Sequence, residues 1–387
     1  MAMGSKYSEY ALVCPVLYGA GAVEELPNKV KMFGASKAFL VYDAGVKASG
    51  MAERITGLLE QAGISVAAFD DVKADPTDAA VEAIGEAAQA AGSEVVIGLG
   101  GGSVLDSAKM VALLLKTPGR VADHFLTTPG ALEAGPAPSA PLILIPTTSG
   151  SGSEVSIVAV ISHAVTHAKD AVFTAANSVI LDPELTVTAP PHVTAFAGLD
   201  VLAHALEAYT SASADPLSSL VAYEAIRLVA ANLKRVYDDG SDIEARSNMA
   251  IASNFAGMAF NNTGLHFGHT FGHELGGAFN LPHGMASAYA IPTVIRFTGK
   301  HDPERAAKIA EAFGVASAEE AAQKATELMR YVGIKKFSEN GITVEAAQAL
   351  AEDAIAHNVF FHNTVVPLAV DDFKALIAEI VTTYDED

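Results

Sequence analysis

The stretch Glu94-Val-Val-Ile-Gly-Leu-Gly-Gly-Gly-Ser-Val-Leu-Asp-Ser-Ala-Lys109 decides the fold class of this chain. Its opening apolar run reads as a buried strand, and the residues after the glycines open a helix. The three glycines between them let the backbone approach a ligand with no Cβ in the way. The free amides of the new helix then face a negative group, and a pyrophosphate suits that place. The turn is not the G-x-G-x-x-G fingerprint, and glycine-rich strand-to-helix turns also occur simply as tight turns.

The same alternation recurs on either side. Lys37-Ala-Phe-Leu-Val-Tyr-Asp43, Ile64-Ser-Val-Ala-Ala-Phe69 and Pro141-Leu-Ile-Leu-Ile-Pro146 read as strands. Lys47 to Ala62, closed by Gly63, and Asp78 to Ala91 read as helices, and Gly130 to Ala140 as a loop. Strands alternating with helices imply a parallel sheet covered on both faces. From about Pro190 the strand signal disappears. Asp200 to Ser211, Leu217 to Tyr237, Asp242 to Phe260, Ala306 to Phe313, Ala318 to Val332, Val344 to His357 and Asp371 to Tyr384 all read as helices. The expected class is α/β plus all-α. A dinucleotide-binding α/β domain spans residues 1–187 and an all-helical metal-binding and catalytic domain residues 188–387, with the cleft between them as the natural site.

Length and charge narrow the function. A chain of 387 residues divides naturally into two domains. Lys and Arg number 24 against 45 Asp and Glu, a formal charge of -21, which argues against a nucleic-acid partner. The single cysteine, Cys14, allows no intrachain disulfide and excludes the cysteine-ligated zinc sites of many alcohol dehydrogenases. The N-terminus lacks the apolar run of a signal peptide, and no apolar stretch is long enough to span a bilayer. These features predict a cytoplasmic protein with no membrane partner and say little about its substrate.

Two further elements suit a nucleotide. Asp43 ends a strand, where an acid accepts both hydroxyls of an adenosine ribose and repels a 2′-phosphate, favouring NAD over NADP. It precedes the glycine turn, whereas the usual dinucleotide fold has the acid after it. Strand-terminal aspartates also cap helices. Ile145-Pro-Thr-Thr-Ser-Gly-Ser-Gly-Ser-Glu-Val155 is a second polar turn after a strand, suited to ribose and pyrophosphate or to satisfying its own backbone.

The helical half carries the denser signal. Phe267-Gly-His-Thr-Phe-Gly-His-Glu-Leu-Gly-Gly-Ala-Phe-Asn-Leu-Pro-His283 holds His269, His273 and His283, and Gly198-Leu-Asp-Val-Leu-Ala-His204 adds Asp200 and His204. Asp200 and His204 are four apart and share a helix face, as do His269 and His273. His283, between Pro282 and Gly284, is expected on a constrained turn. One buried imidazole is ordinarily a core residue bonded to a carbonyl; several with a carboxylate are costly to bury without a shared partner. Asp200, His204, His269 and His283 therefore supply four ligands for Fe(II) or Zn(II), with His273 nearby but not needed. His266 points toward the site or simply packs. Glu207 and Glu274 are expected to be solvated or to support the ligands from outside.

With these residues in view, the chain resembles the iron-containing (group III) alcohol dehydrogenases, which include lactaldehyde reductase and 1,3-propanediol dehydrogenase. The similarity runs from Val16 to about Val294 through Gly100 to Lys109, Pro146 to Val155, Asp200 to His204 and His269 to Gly284. The resemblance implies a metal on Asp200, His204, His269 and His283, and His273 beside nicotinamide and substrate. It implies that Gly101, Gly102 and Ser103 hold the pyrophosphate and that Thr147, Thr148 and Ser151 contact the cofactor. Lys169 would reach the nucleotide, Asp75 the adenosine ribose, Asp43 would set NAD preference, and Phe260 would line the substrate pocket. A homo-oligomer is implied as well. The segment from Lys169 to Asp182 is shorter than the family's and lacks its proline. His357-Asn-Val-Phe-Phe-His-Asn363 replaces an Asn-Pro-Arg-type segment beside the substrate, where His357 and His362 suit a polar or anionic aldehyde.

The expected reaction is reversible hydride transfer between NAD(H) and a primary alcohol or its aldehyde, the metal polarising the substrate oxygen and His273 relaying a proton. One alternative is a metal- and NAD-dependent lyase of the dehydroquinate synthase type, which shares this two-domain plan. That chemistry calls for several lysines and arginines, and the histidine blocks have none. Another is a scaffold that binds metal and nucleotide without turnover. Glycerol dehydrogenases are closer relatives, usually with zinc and a different ligand set.

Overall fold

The computed structural model describes residues 9–166, 168–357 and 361–386, and the side chain of His357 lies outside that description. Two compact units emerge. One comprises Leu12–Thr148 and Gly152–Ala189; the other is built on Pro190–Asp387 and includes Ser149–Ser151.

Among the described residues the first unit holds eight strands: β1 (Val16–Tyr18), β2 (Lys37–Val41), β3 (Ser65–Phe69), β4 (Val95–Gly100), β5 (Leu142–Pro146), β6 (Val158–Ser162), β7 (Lys169–Phe173) and β8 (Ser178–Leu181). Six form one parallel sheet in the order β1-β8-β5-β4-β2-β3. Parallel pairing demands crossover helices, and these bury both faces, so β4 and β5 are apolar and buried throughout. Alternate residues Ile97, Leu99, Ile143 and Ile145 join Leu26, Ile55 and Leu59 in the core on one face.

Strand order also sets where a ligand fits. After β2 the chain moves outward to β3, then crosses back to place β4 on the other side of β2. The carboxyl ends of β2 and β4 therefore flank a topological switch point, the usual ligand crevice of an open parallel sheet. Asp43 follows β2 and Gly101 follows β4, which accounts for an acid that precedes the glycine turn in sequence.

Some expectations change. The helix expected from Lys47 to Ala62 is two helices, Ala44–Ala48 and Met51–Gln61. Gly50, at φ 76°, adopts the left-handed conformation that ends one and starts the other. The expected Gly130 to Ala140 loop contains one short helix, Ala131–Ala134. The antiparallel hairpin of β6 and β7, with Ser162 opposite Lys169, was not anticipated. The helix expected from Val344 to His357 is likewise two, Val344–Gln348 and Ala351–His357.

The second unit is helical. Its central helix, Pro191–Thr210, begins nine residues before the expected start because Pro190-Pro191 presets its first turn. Its residues from Gly198 to Thr210 are buried, with Asp200, His204 and Glu207 among them. Pro216–Asp238, Ile243–Thr263, Phe267–Phe279 and Ile291–His301 surround it, the last unanticipated from the sequence. Among the described residues no helix is long and apolar enough to cross a membrane.

Candidate metal centre and nucleotide loops

Several of the residues expected to hold the nucleotide lie near the end of β4. Gly101 is the N-cap of the Gly102–Lys116 helix, and no side chain caps its first turn. A Cβ on Gly101 would lie 3.2 Å from the Thr148 hydroxyl, which places the two turns side by side. Thr147 anchors its turn by donating its amide to Gly100 O at 3.0 Å. Asp75 donates its amide to Ser103 Oγ at 3.3 Å, and Lys169 Nζ reaches Asp75 Oδ1 at 2.6 Å. Thus Ser103, Asp75 and Lys169 form one connected row, with Asp75 in the left-handed region at φ 50°. Asp43 caps Ala44–Ala48, accepting the Val46 amide on Oδ1 at 2.9 Å. Ser151 belongs to the helical unit.

In the helical unit, Asp200 and His204 project from one face of Pro191–Thr210, and His269 and His273 from Phe267–Phe279. His283, expected on a constrained turn, is the first residue of the His283–Ala288 helix, with Pro282 at the N-cap position. Asp200, His204, His269 and His283 each turn one ligand atom to a common point, and those atoms lie within 4.8 Å of one another. Asp200 Oδ1 is 3.6 Å from His269 Nε2 and 3.5 Å from His283 Nε2, while Asp200 Oδ2 is 3.8 Å from His204 Nδ1.

These separations exceed a hydrogen bond, and Asp200 Oδ1, His204 Nδ1 and His269 Nε2 are buried without a hydrogen-bond partner. Ligands about 2.1 Å from a shared cation at tetrahedral angles stand about 3.4 Å apart. The spacing and the unpartnered donors therefore fit a divalent cation. Buried polar groups in a native fold are otherwise paired.

Electrostatics point the same way. Burial works to raise the Asp200 carboxyl, yet the His204, His283 and His269 imidazoles hold it well below the usual carboxylate range. Burial takes His204 down to about 4 against the attraction of Asp200. Burial also works to lower His269, but Glu207 and Asp200 hold it up at about 10. Two carboxylates, Asp200 and Glu207, lie among these rings, and a divalent cation held there would balance their charge.

The neighbouring residues are now assigned places. His204 stacks on His269, ring centroids 4.4 Å apart and planes 16° apart, and Phe260 covers its other side at 4.6 Å. His273 is exposed, its ring 5.9 Å from His269 and 5.3 Å from His283. His266 packs: it is buried, with Nε2 2.9 Å from the Thr210 hydroxyl. Glu207 is not solvated but 1% exposed, and bonded to His269. Its signal was legible, since a lone acid three residues after His204 must share that buried face. Glu274 is half-buried. His362 is exposed and lies edge-on to Phe361, whereas the side chain of His357 and residues 358–360 lie outside the described residues.

Comparison with known proteins agrees with this geometry. The family model described as iron-containing alcohol dehydrogenase matches residues 15–183. The model for the C-terminal part of the Fe-containing alcohol dehydrogenase family matches residues 194–381. The chain belongs to the iron-containing alcohol dehydrogenase family. It is 37% identical over 371 residues to long-chain-alcohol dehydrogenase 1 of Geobacillus thermodenitrificans, covering 92% of this chain and 93% of that one. A crystal structure of 1,3-propanediol oxidoreductase is similar at TM-score 0.89 and 30% identity, over 97% of this chain and 100% of the other. The sulfoacetaldehyde reductase of Bifidobacterium kashiwanohense, solved in complex with NAD+, is similar at TM-score 0.90 and 25% identity, over 98% and 100%.

This family member is thus a metal-dependent alcohol dehydrogenase, an oxidoreductase that acts on alcohols with NAD and iron. The lyase and scaffold alternatives are not favoured.

Proposed function

We propose that this iron-containing dehydrogenase oxidises a primary alcohol, or reduces its aldehyde, at a cation held by Asp200, His204, His269 and His283. The observation that carries this reading is the convergence of four ligand atoms, three of them buried with no hydrogen-bond partner. A divalent cation held by these four residues would supply the Lewis acidity that brings proton loss from an alcohol toward neutral pH. NAD supplies the hydride acceptor.

The chain's own residues do the rest. Asp200 contributes the charge, and three neutral imidazoles complete the donor set. Phe260, against His204, gives the site an apolar wall. His273, exposed within 6 Å of two ligand rings, takes the proton released by the alcohol and passes it to water. In the other unit, the amides after Gly101, with Gly102 and Ser103, receive the pyrophosphate, Thr147, Thr148 and Ser151 contact the cofactor, and Asp75 and Lys169 border the ribose. Asp43, with one oxygen committed to its helix cap, keeps the other for a ribose hydroxyl and favours NAD over NADP. The same reading makes the enzyme a cytoplasmic homo-oligomer, in keeping with its single, unpaired cysteine.

Asp200→Ala and His204→Ala should lose bound metal and NADH formation together, whereas His273→Ala should lower turnover far more than metal content. Equal loss of both in His273→Ala makes it a ligand. Full metal retention in Asp200→Ala overturns the site. A screen of aldehydes with NADH and NADPH, on iron-loaded and zinc-loaded protein, assigns the substrate.

A further inference from the structure

We propose that Glu207 is the positioning residue that presents His269 to the metal: it fixes which ring nitrogen faces the site and ties the two ligand-bearing helices together. This rests on the four-ligand reading above and extends it to a residue outside the ligand set.

The argument begins with an uncapped helix. The Phe267–Phe279 helix starts at His266, which makes no side-chain capping bond. Its first amides need acceptors, and they are buried. Glu207, on the neighbouring Pro191–Thr210 helix, supplies them: its Oε2 accepts the amides of His266 at 2.8 Å and His269 at 3.2 Å. A carboxylate at the positive end of a helix dipole is favoured electrostatically as well.

The other carboxylate oxygen does the second task. Glu207 Oε1 accepts from His269 Nδ1 at 2.6 Å. A proton held on Nδ1 leaves Nε2 as the lone-pair nitrogen, and Nε2 is the atom that faces Asp200 without a partner. The ring cannot flip without taking from the buried Glu207 Oε1 the donor it now has. Glu207 lies three residues after His204 and seven after Asp200, so one helix carries two ligands and the residue that aims a third.

The close approach has its own signature. A Cβ on Gly268 would stand 2.6 Å from Glu207 Oε1, so glycine is the residue that lets the carboxylate reach this helix. Gly268→Ala would displace the carboxylate while keeping its charge.

Metal-stripped full-length protein is reconstituted with Co(II), and affinity is measured by chelator competition alongside the visible Co(II) bands. Glu207→Gln keeps the shape but sets an amide NH2 or a neutral oxygen against two backbone donors. Partners that orient a ligand histidine are typically worth 10–100-fold in metal affinity. Glu207→Gln and Gly268→Ala should each weaken Co(II) binding by about that factor per folded molecule, with altered bands. Asp200→Ala is the control. If Asp200→Ala binds Co(II) like the wild type, the four-ligand reading itself has failed. If Asp200→Ala loses the metal but both other variants keep affinity within twofold and unchanged bands, Glu207 is only a helix cap and the inference is overturned. Should Glu207→Gln not fold, Gly268→Ala decides by the same two readings.

Discussion

Replacing Lys109 by methionine keeps a buried stem and removes an ammonium group from the first unit. Lys109 is fully buried, and its ammonium donates to Ser156 O at 3.2 Å, Ser156 Oγ at 2.9 Å and Val158 O at 2.6 Å. Three acceptors match the three protons of an ammonium, and Asp106 opposes the burial that pushes its pKa down. Asp106, 3.7 Å away, is its counter-charge, and burial pushes that carboxyl up. Breaking one side of a buried ion pair costs about 3–5 kcal/mol. Here the lower end applies. Asp106 retains the Ser153 hydroxyl at 2.6 Å and the Val160 amide at 3.1 Å, and 14% of its side chain is exposed. Val158 O retains the Ser156 hydroxyl at 2.9 Å, which leaves Ser156 O as the acceptor that loses most. A loss of about 3 kcal/mol lowers the melting temperature of a domain this size by about 6–12 °C. Urea unfolding and calorimetry measure it. Asp106→Asn combined with Lys109→Met should recover at least about 1 kcal/mol relative to the summed single losses. Bound metal should stay at the wild-type level, because all four ligand candidates lie in the other unit. A loss under about 1 kcal/mol, or strictly additive single losses, refutes the buried-pair account.

Two further predictions concern Cys14 and Gly284. Burial, reinforced by Glu154 and opposed by Lys109, pushes the Cys14 thiol up to about 11, so its reactive thiolate is disfavoured at neutral pH. Its iodoacetamide alkylation rate should climb about tenfold per pH unit to beyond pH 10, where an unperturbed thiol levels off above about 8.5; a plateau by pH 9 contradicts the shift. A Cβ on Gly284 would lie 2.2 Å from the Phe196 carbonyl oxygen and 3.2 Å from Asp200 Cβ. Backbone cannot yield there, so Gly284→Ala should push His283 away from Asp200, costing about 1–3 kcal/mol of stability and at least about tenfold in metal affinity. Wild-type metal retention after dialysis against a chelator would show that the helix start tolerates the methyl group.

The sequence by itself determined the layer plan. Apolar runs such as Glu94 to Leu99, separated by helical stretches, force parallel strands with both faces covered, whatever their order. It also determined the ligand candidates, since Asp200 with His204 and His269 with His273 repeat at the spacing that brings side chains onto one helix face. Short-range signals failed where the outcome depended on partners far along the chain. The β6–β7 hairpin carries no glycine turn to announce it, and Gly50 divides a helix that periodicity reads as continuous. Strand order is likewise a long-range property, and only it brings Asp43 and Gly101 to one switch point. The convergence of His283 with the other three depends on Gly284 meeting the Phe196 backbone, and the role of Glu207 on Gly268 meeting its carboxylate. Periodicity assigns a residue to a face; only close packing between helices decides which atom on that face meets which.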